Sequence, residues 1–289
     1  MLQNETTLQD ETKLPRAQLD TDYTARATVS AEEFARIIGQ YQSLSDEAHA
    51  LPNTRSGLIF CPETGLQLDL FGTQPAQKRP VVVFIHGGYW RALSRGQSAF
   101  AAPMLAAQGI ACAVPDYRLA PEASITDIIG DCRRALTYLW HNADDLGIDR
   151  DRIIVTGSSA GGHLAAAVAQ PGWQLAMGLP EQPLHACLPV SGLFELAPLA
   201  ASHVQDWMQF TQGELMASPL RHPPIGLRGA LALAAGPGEA MGFHRQSAAF
   251  AQVTGWQVHE IAERNHFDVI LDLADPASRL SHLLLGLLD

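Results

Sequence analysis

The sequence predicts an α/β fold: a mostly parallel, twisted sheet with helices on both faces and a small helical cap. Three observations carry that expectation. From residue 81 onward, short apolar runs alternate with longer stretches of helical periodicity. One run, Val81-Val82-Val83-Phe84-Ile85, ends in His86-Gly87-Gly88-Tyr89-Trp90. A later one, Ile153-Ile154-Val155-Thr156, ends in Gly157-Ser158-Ser159-Ala160-Gly161. Continuous β-branched runs of this kind suit strands buried on both sides, as in parallel sheets.

Taken in order, residues 1–22 are polar, largely acidic and lack an apolar signal-like core, so a flexible tail is expected there. Residues 23–289 are expected to form a single domain. A helix is predicted over 29–44, with Ser30 as cap, Glu33 completing a capping box, and Phe34, Ile37, Ile38 and Tyr41 on one face. Residues 56–60 and 66–71 should pair antiparallel through Pro62-Glu63-Thr64-Gly65. Further strands are expected at 81–85, 110–115, 153–156, 185–190, 229–235 and 257–261, and helices at 97–108, 124–141, 160–169, 243–254 and 276–287. The clearest helix places Ile125, Ile128, Ile129, Cys132, Leu136 and Leu139 at helical spacing. Residues 191–228 are long for a plain crossover and are predicted to be a cap insertion over the carboxyl edge of the sheet, where open α/β folds bind ligands.

Composition narrows the function. With 47% hydrophobic and 17% charged residues the 289-residue chain can build a core, and its net charge of −11 opposes nucleic acid. No apolar run reaches membrane-spanning length. Cys61, Cys112, Cys132 and Cys187 are scattered without CxxC spacing, as expected of buried thiols in a reducing cytoplasm. There is no HExxH, no GxGxxG and no Walker A sequence, so neither metal nor cofactor is expected. An exposed edge strand or the N-terminal segment could pair two copies into a homodimer.

The chemistry is expected at the two strand ends. Gly157-x-Ser159-x-Gly161 between a strand and an Ala-rich helix has the form of a nucleophile elbow, with Ser158 one place off its centre. A Gly/Ser-rich turn alone would have the same letters; the flanking strand and helix and the upstream His-Gly-Gly favour the nucleophile. Serine needs a base, and in this arrangement the order is Ser, then acid, then His. His266, just after the last strand, is the expected base. Glu239, in Gly236-Pro237-Gly238-Glu239, is the expected acid, with Glu195 in reserve and Asp268 placed as the start of the next helix. The backbone N–H groups of Gly87, Gly88 and Ala160 are expected to form the oxyanion hole, with His86 bracing the loop. Tyr89, Trp90, Trp207 and Phe210 are candidates for substrate contact.

With those residues in hand, the chain resembles the kynurenine formamidase (arylformamidase) branch of the α/β-hydrolases, related to hormone-sensitive-lipase-like esterases. The resemblance rests on His86-Gly87-Gly88-Tyr89-Trp90, on Asp116-Tyr117-Arg118-Leu119-Ala120-Pro121-Glu122, on the elbow, and on Asn265-His266-Phe267. It implies an α/β-hydrolase fold, Ser159 as nucleophile and His266 as base; Glu239 stands where eukaryotic members usually have Asp. It also implies hydrolysis of an N-formyl aryl amide, N-formylkynurenine, through a formyl-serine, with a tight acyl pocket beside an aromatic one. The competing expectation is a carboxylesterase or amidase acting on short-acyl esters or amides of aromatic compounds. A binding protein using the same fold would have a broken triad, whereas here all three positions are filled.

Overall fold

The apolar runs assemble into one eight-stranded sheet in a computed structural model that describes residues 8–74 and 77–289. The strands are β1 (Arg55–Cys61), β2 (Leu66–Phe71), β3 (Arg79–Ile85), β4 (Ala111–Pro115), β5 (Ile148–Ser158), β6 (Ala186–Val190), β7 (Arg228–Ala234) and β8 (Gln257–Ile261). Their spatial order is β1-β2-β4-β3-β5-β6-β7-β8. The pairs β1/β2 and β2/β4 run antiparallel, and every later pair is parallel.

Side-chain alternation divides the interior into two layers. On β3, Val81, Val83 and Ile85 join one core cluster, while Val82 and Phe84 join the other. Against the first pack α4 (Ile125–His141), α5 (Ala160–Ala169) and α6 (Met241–Thr254); against the second pack α2 (Ala31–His49), α3 (Ala102–Ala107) and α7 (Arg279–Gly286). In α4 all six residues of the apolar stripe are buried, and Ser124 and Asp127 close a reciprocal capping box at its start. Burying each Ile or Leu of that stripe contributes about 1.5–3 kcal/mol.

Three helix starts differ from expectation, each for a local reason. Ser30 does accept from the Glu33 amide, but the Glu33 carboxylate turns to Arg36 instead of closing the box. The helix expected over 97–108 shortens to α3 because Pro103 suits only a first turn, and a separate 3₁₀ turn occupies Arg95–Gln97. The last helix begins at Arg279, where Ser278 caps the amide of Ser281, and not at Pro276.

The larger departure lies at the N-terminus. The flexible tail expected over 1–22 falls partly outside the described residues, but from Leu8 the chain is placed against the body. Helix α1 (Arg16–Asp22) buries Leu19, and Tyr23 follows it into the core. Arg245 of α6 pairs with Glu11 and, at 2.5 Å, with Asp22. Arg16 reaches Asp206 at 2.6 Å. Polar composition suggested disorder because the partners stand about two hundred residues away in sequence.

Residues 191–228 carry three short helices, Ala197–Ala200, Gln205–Met208 and Gln212–Leu215. Trp207 Nε1 donates to the Tyr89 carbonyl at 3.2 Å, which sets this segment beside the end of β3. All four cysteines are free and buried. Among the described residues no helix is long and apolar enough to cross a membrane.

Candidate active site

The turn from β5 into α5 is sharp enough to strain its central residue. Ser159 has φ 58° and ψ −119°, a conformation that costs a non-glycine residue about 1–3 kcal/mol. Its amide donates to the Val190 carbonyl at 2.9 Å and its carbonyl accepts from His163 at 3.0 Å, so neighbouring strand and helix hold it there. Gly161 permits the close packing: a Cβ at that position would lie 2.0 Å from the Ile85 carbonyl oxygen. Ala160 opens α5, and the first amides of a helix have no intrahelical acceptor.

The loop after β3 is left-handed at three successive residues, with φ 100° at Gly88, 49° at Tyr89 and 59° at Trp90. Gly88 admits this without strain and also passes close to Ala92, leaving no room for a side chain. Two rings brace the loop. His86 stacks on Tyr117 with centroids 4.0 Å apart, and its Nδ1 lies 3.0 Å from the Gly87 carbonyl oxygen. The Tyr117 hydroxyl is within donating distance of the carbonyl oxygens of His86 (2.9 Å) and Gly87 (3.1 Å). Burial pulls the His86 pKa down to about 4, so the ring stays neutral near pH 7.

His266 is buried, and its Nδ1 stands 2.7 Å from Glu239 Oε1. Its amide donates to the Gly238 carbonyl at 2.8 Å, tying the two loops together. Phe243 and Phe267 pack against the ring at centroid distances of 4.5 and 5.1 Å. The carboxylate is itself held: Ser191 Oγ donates to Oε2 at 2.6 Å, and the Ala240 amide donates to Oε1 at 3.1 Å. Glu195, the reserve acid, is engaged elsewhere, accepting from Ser218 at 3.2 Å and Arg221 at 3.1 Å. Asp268 stands immediately before the following 3₁₀ turn, and its carboxylate accepts from the Asn265 amide at 2.6 Å.

Ser159 and His266 open onto one cavity of about 540 Å³, together with Gly87, Gly88, Tyr89 and Trp207. Two of the residues expected to contact substrate are not there. Trp90 is fully buried, edge-on to His163 and Phe210, and neither it nor Phe210 lines the cavity. The left-handed backbone sends the Tyr89 and Trp90 side chains in different directions, so only the first faces the open space. Tyr89 is also tied down, its hydroxyl donating to the Tyr23 carbonyl.

Several contributors escape a reading of the sequence. Phe34, Ile38 and Tyr41 of α2 line the cavity, and the Tyr41 hydroxyl donates to the Phe267 carbonyl at 2.6 Å beside His266. Thr24, Ala25 and Arg26 of the N-terminal segment line it as well. Tyr117 lies in the Asp116–Glu122 run that carries the resemblance, and Ser191 follows directly on β6; neither had an evident role in the sequence. Among the described residues no group of three or more His, Cys, Asp or Glu side chains is arranged to hold a metal ion.

This sheet order, the strained serine between β5 and α5, and the acid and histidine loops after β7 and β8 make up an α/β-hydrolase fold. The BD-FAE family matches residues 68–177, which run from β2 through α5 to the turn that precedes β6. The chain is 25% identical over 256 residues to kynurenine formamidase of Salmo salar, covering 84% of this chain and 85% of that protein. It is 42% identical over 93 residues to esterase LipC of Mycobacterium tuberculosis, 32% of this chain and 23% of that one. Among solved structures, a Silicibacter sp. tm1040 protein provisionally called a thioesterase superimposes with a TM-score of 0.78 at 26% identity, over 92% of this chain and 98% of that one. The chain thus has an α/β-hydrolase fold and is similar in sequence to esterases and to a formamidase.

Proposed function

We propose that the protein is a serine hydrolase that cleaves short-acyl esters or amides of small aromatic compounds. The observation that carries this reading is the His266–Glu239 pair at 2.7 Å, set on the same cavity as Ser159 and the Gly87-Gly88 loop. In the proposed reaction His266 Nε2 takes the Ser159 hydroxyl proton as the oxygen attacks the carbonyl carbon. Glu239 holds the tautomer with the proton on Nδ1 and stabilises the imidazolium. The carbonyl electron pair moves onto oxygen, facing the amides of Gly87, Gly88 and Ala160. Collapse breaks the bond to the leaving oxygen or nitrogen, which takes the proton from His266. Water, deprotonated by the same ring, then attacks the acyl-serine and releases the acid.

The size of the cavity supports an ester or amide with an apolar body. About 540 Å³ walled by Phe34, Ile38, Tyr41 and Trp207 is far more than a formyl group needs. The four buried thiols support placing the enzyme in a reducing compartment such as the cytoplasm.

A second reading narrows the substrate to an N-formyl aryl amide such as N-formylkynurenine. It is favoured by the likeness to the Salmo salar kynurenine formamidase along most of the chain. Comparing kcat/KM for phenyl acetate, formanilide and N-formylkynurenine separates the two. Ester turnover exceeding formamide turnover supports the first, a strong preference for N-formylkynurenine supports the second, and no turnover of any of them contradicts both.

A further inference from the structure

The cavity at Ser159 carries charged side chains of one sign. Its lining residues include Arg26 and Arg91 and no Asp or Glu, in a chain with 30 acidic and only 19 basic residues. Glu239 lies behind His266 and does not reach the surface of the cavity. An acid-free wall is the opposite of what the overall charge would distribute by chance.

Both guanidinium groups are held by the cavity's own aromatic rings. Arg26 lies over Phe34, 4.6 Å from the centroid, and Arg91 over Trp207 at 3.8 Å. Stacking fixes the plane of a guanidinium while leaving its N–H edge free to donate. Arg26 directs one nitrogen to the Val29 carbonyl at 2.7 Å, and among the described residues neither arginine forms an ion pair. Arg118 and Arg221, by contrast, are engaged with Asp131 and Glu195.

We propose that Arg26 and Arg91 form an anion-binding wall that selects esters or amides whose aromatic portion bears a carboxylate. The inference rests on the serine-hydrolase reading of the same cavity and names its substrate class. A planar monoanion on a ring suits this wall: the guanidinium edges meet the carboxylate, while Phe34 and Trp207 cover the ring. The net acidity of the chain repels anions at long range, so the selection acts inside the cavity, where short charge-assisted bonds outweigh it.

The test compares 4-acetoxybenzoate with phenyl acetate, each kcat/KM divided by the ester's spontaneous hydrolysis rate. The carboxylate ester is expected to lead by about tenfold, the scale of one charge-assisted bond. That ratio should shrink in Arg26→Gln and Arg91→Gln, and in the unaltered enzyme as salt rises from about 50 to about 500 mM. Hydrolysis of phenyl acetate with no preference for 4-acetoxybenzoate overturns the anion wall and leaves the serine-hydrolase reading standing. If neither ester is cleaved, that reading fails, and calorimetry with benzoate and benzamide decides the wall alone. Tighter binding of benzoate, weakened in Arg91→Gln, supports it; equal binding overturns it.

Discussion

Ser191 Oγ donates to Glu239 Oε2 at 2.6 Å, so the carboxylate oxygen that does not face His266 is still occupied inside the protein. Removing the hydroxyl leaves that oxygen buried without its donor and frees the carboxylate to turn away from the imidazole. Ser191→Ala should therefore lower kcat about tenfold with little change in KM. Steady-state kinetics on p-nitrophenyl acetate measures it; an unchanged kcat would mean that the Ala240 amide and the ring suffice.

Tyr117 braces the carbonyl side of His86-Gly87 through one hydroxyl. Tyr117→Phe keeps the ring stacked on His86 and removes only the donor. The expected outcome is a fall of about two- to tenfold in kcat, the worth of one neutral hydrogen bond, shared by ester and amide substrates. A change confined to KM would place the effect in substrate binding and contradict an oxyanion role for the Gly87-Gly88 loop.

Acid should destabilise the fold through two buried rings. Desolvation lowers the pKa from 6.5 to about 4 at His86 and to about 3 at His163. The folded values lie below the unfolded one, so the unfolded chain binds these protons first. The stability is fully present above pH 6.5 and is lost as pH falls toward about 4 for His86 and about 3 for His163. By pH 5 each ring costs about 2 kcal/mol. Urea unfolding at pH 7 and pH 5 should show this loss, and His163→Phe should reduce it.

Arg245 anchors the N-terminal segment through Glu11 and Asp22, both buried. Burial raises the Glu11 pKa, and Arg245 together with the Tyr23 hydroxyl opposes that rise. Arg245→Ala leaves two carboxylates without their cation and should cost about 3–5 kcal/mol. Thermal unfolding would register it as a lower Tm. Because Thr24, Ala25 and Arg26 of the same segment line the cavity, kcat/KM should fall as well.

The inner strands β3, β4, β6 and β7 were legible because they are short apolar runs buried on both faces, whereas the edge strands β1 and β8 are largely exposed or half-buried. The elbow and the His-Gly-Gly loop were legible because tight turns demand particular residues at particular spacings. Other features depend on partners far along the chain, which no local pattern encodes. Leu19 and Tyr23 are buried by a body formed much later in sequence, so their polar surroundings suggested a tail. Trp90 looked like a wall of the site because it adjoins Tyr89, but the left-handed backbone there buries it against His163. The hydroxyl of Ser191 has its role only once β6 stands beside the loop that carries Glu239.

The assignment of Ser159 as nucleophile, with His266 and Glu239 behind it, is tested most directly by covalent labelling with a fluorophosphonate. The account predicts one phosphonyl group per chain by intact mass, mapped to the peptide carrying Ser159. Labelling should be absent in Ser159→Ala, and ester turnover in that variant should fall by several orders of magnitude, with a residue of about 10³ over water. Labelling at another residue, or turnover retained in Ser159→Ala, would contradict it.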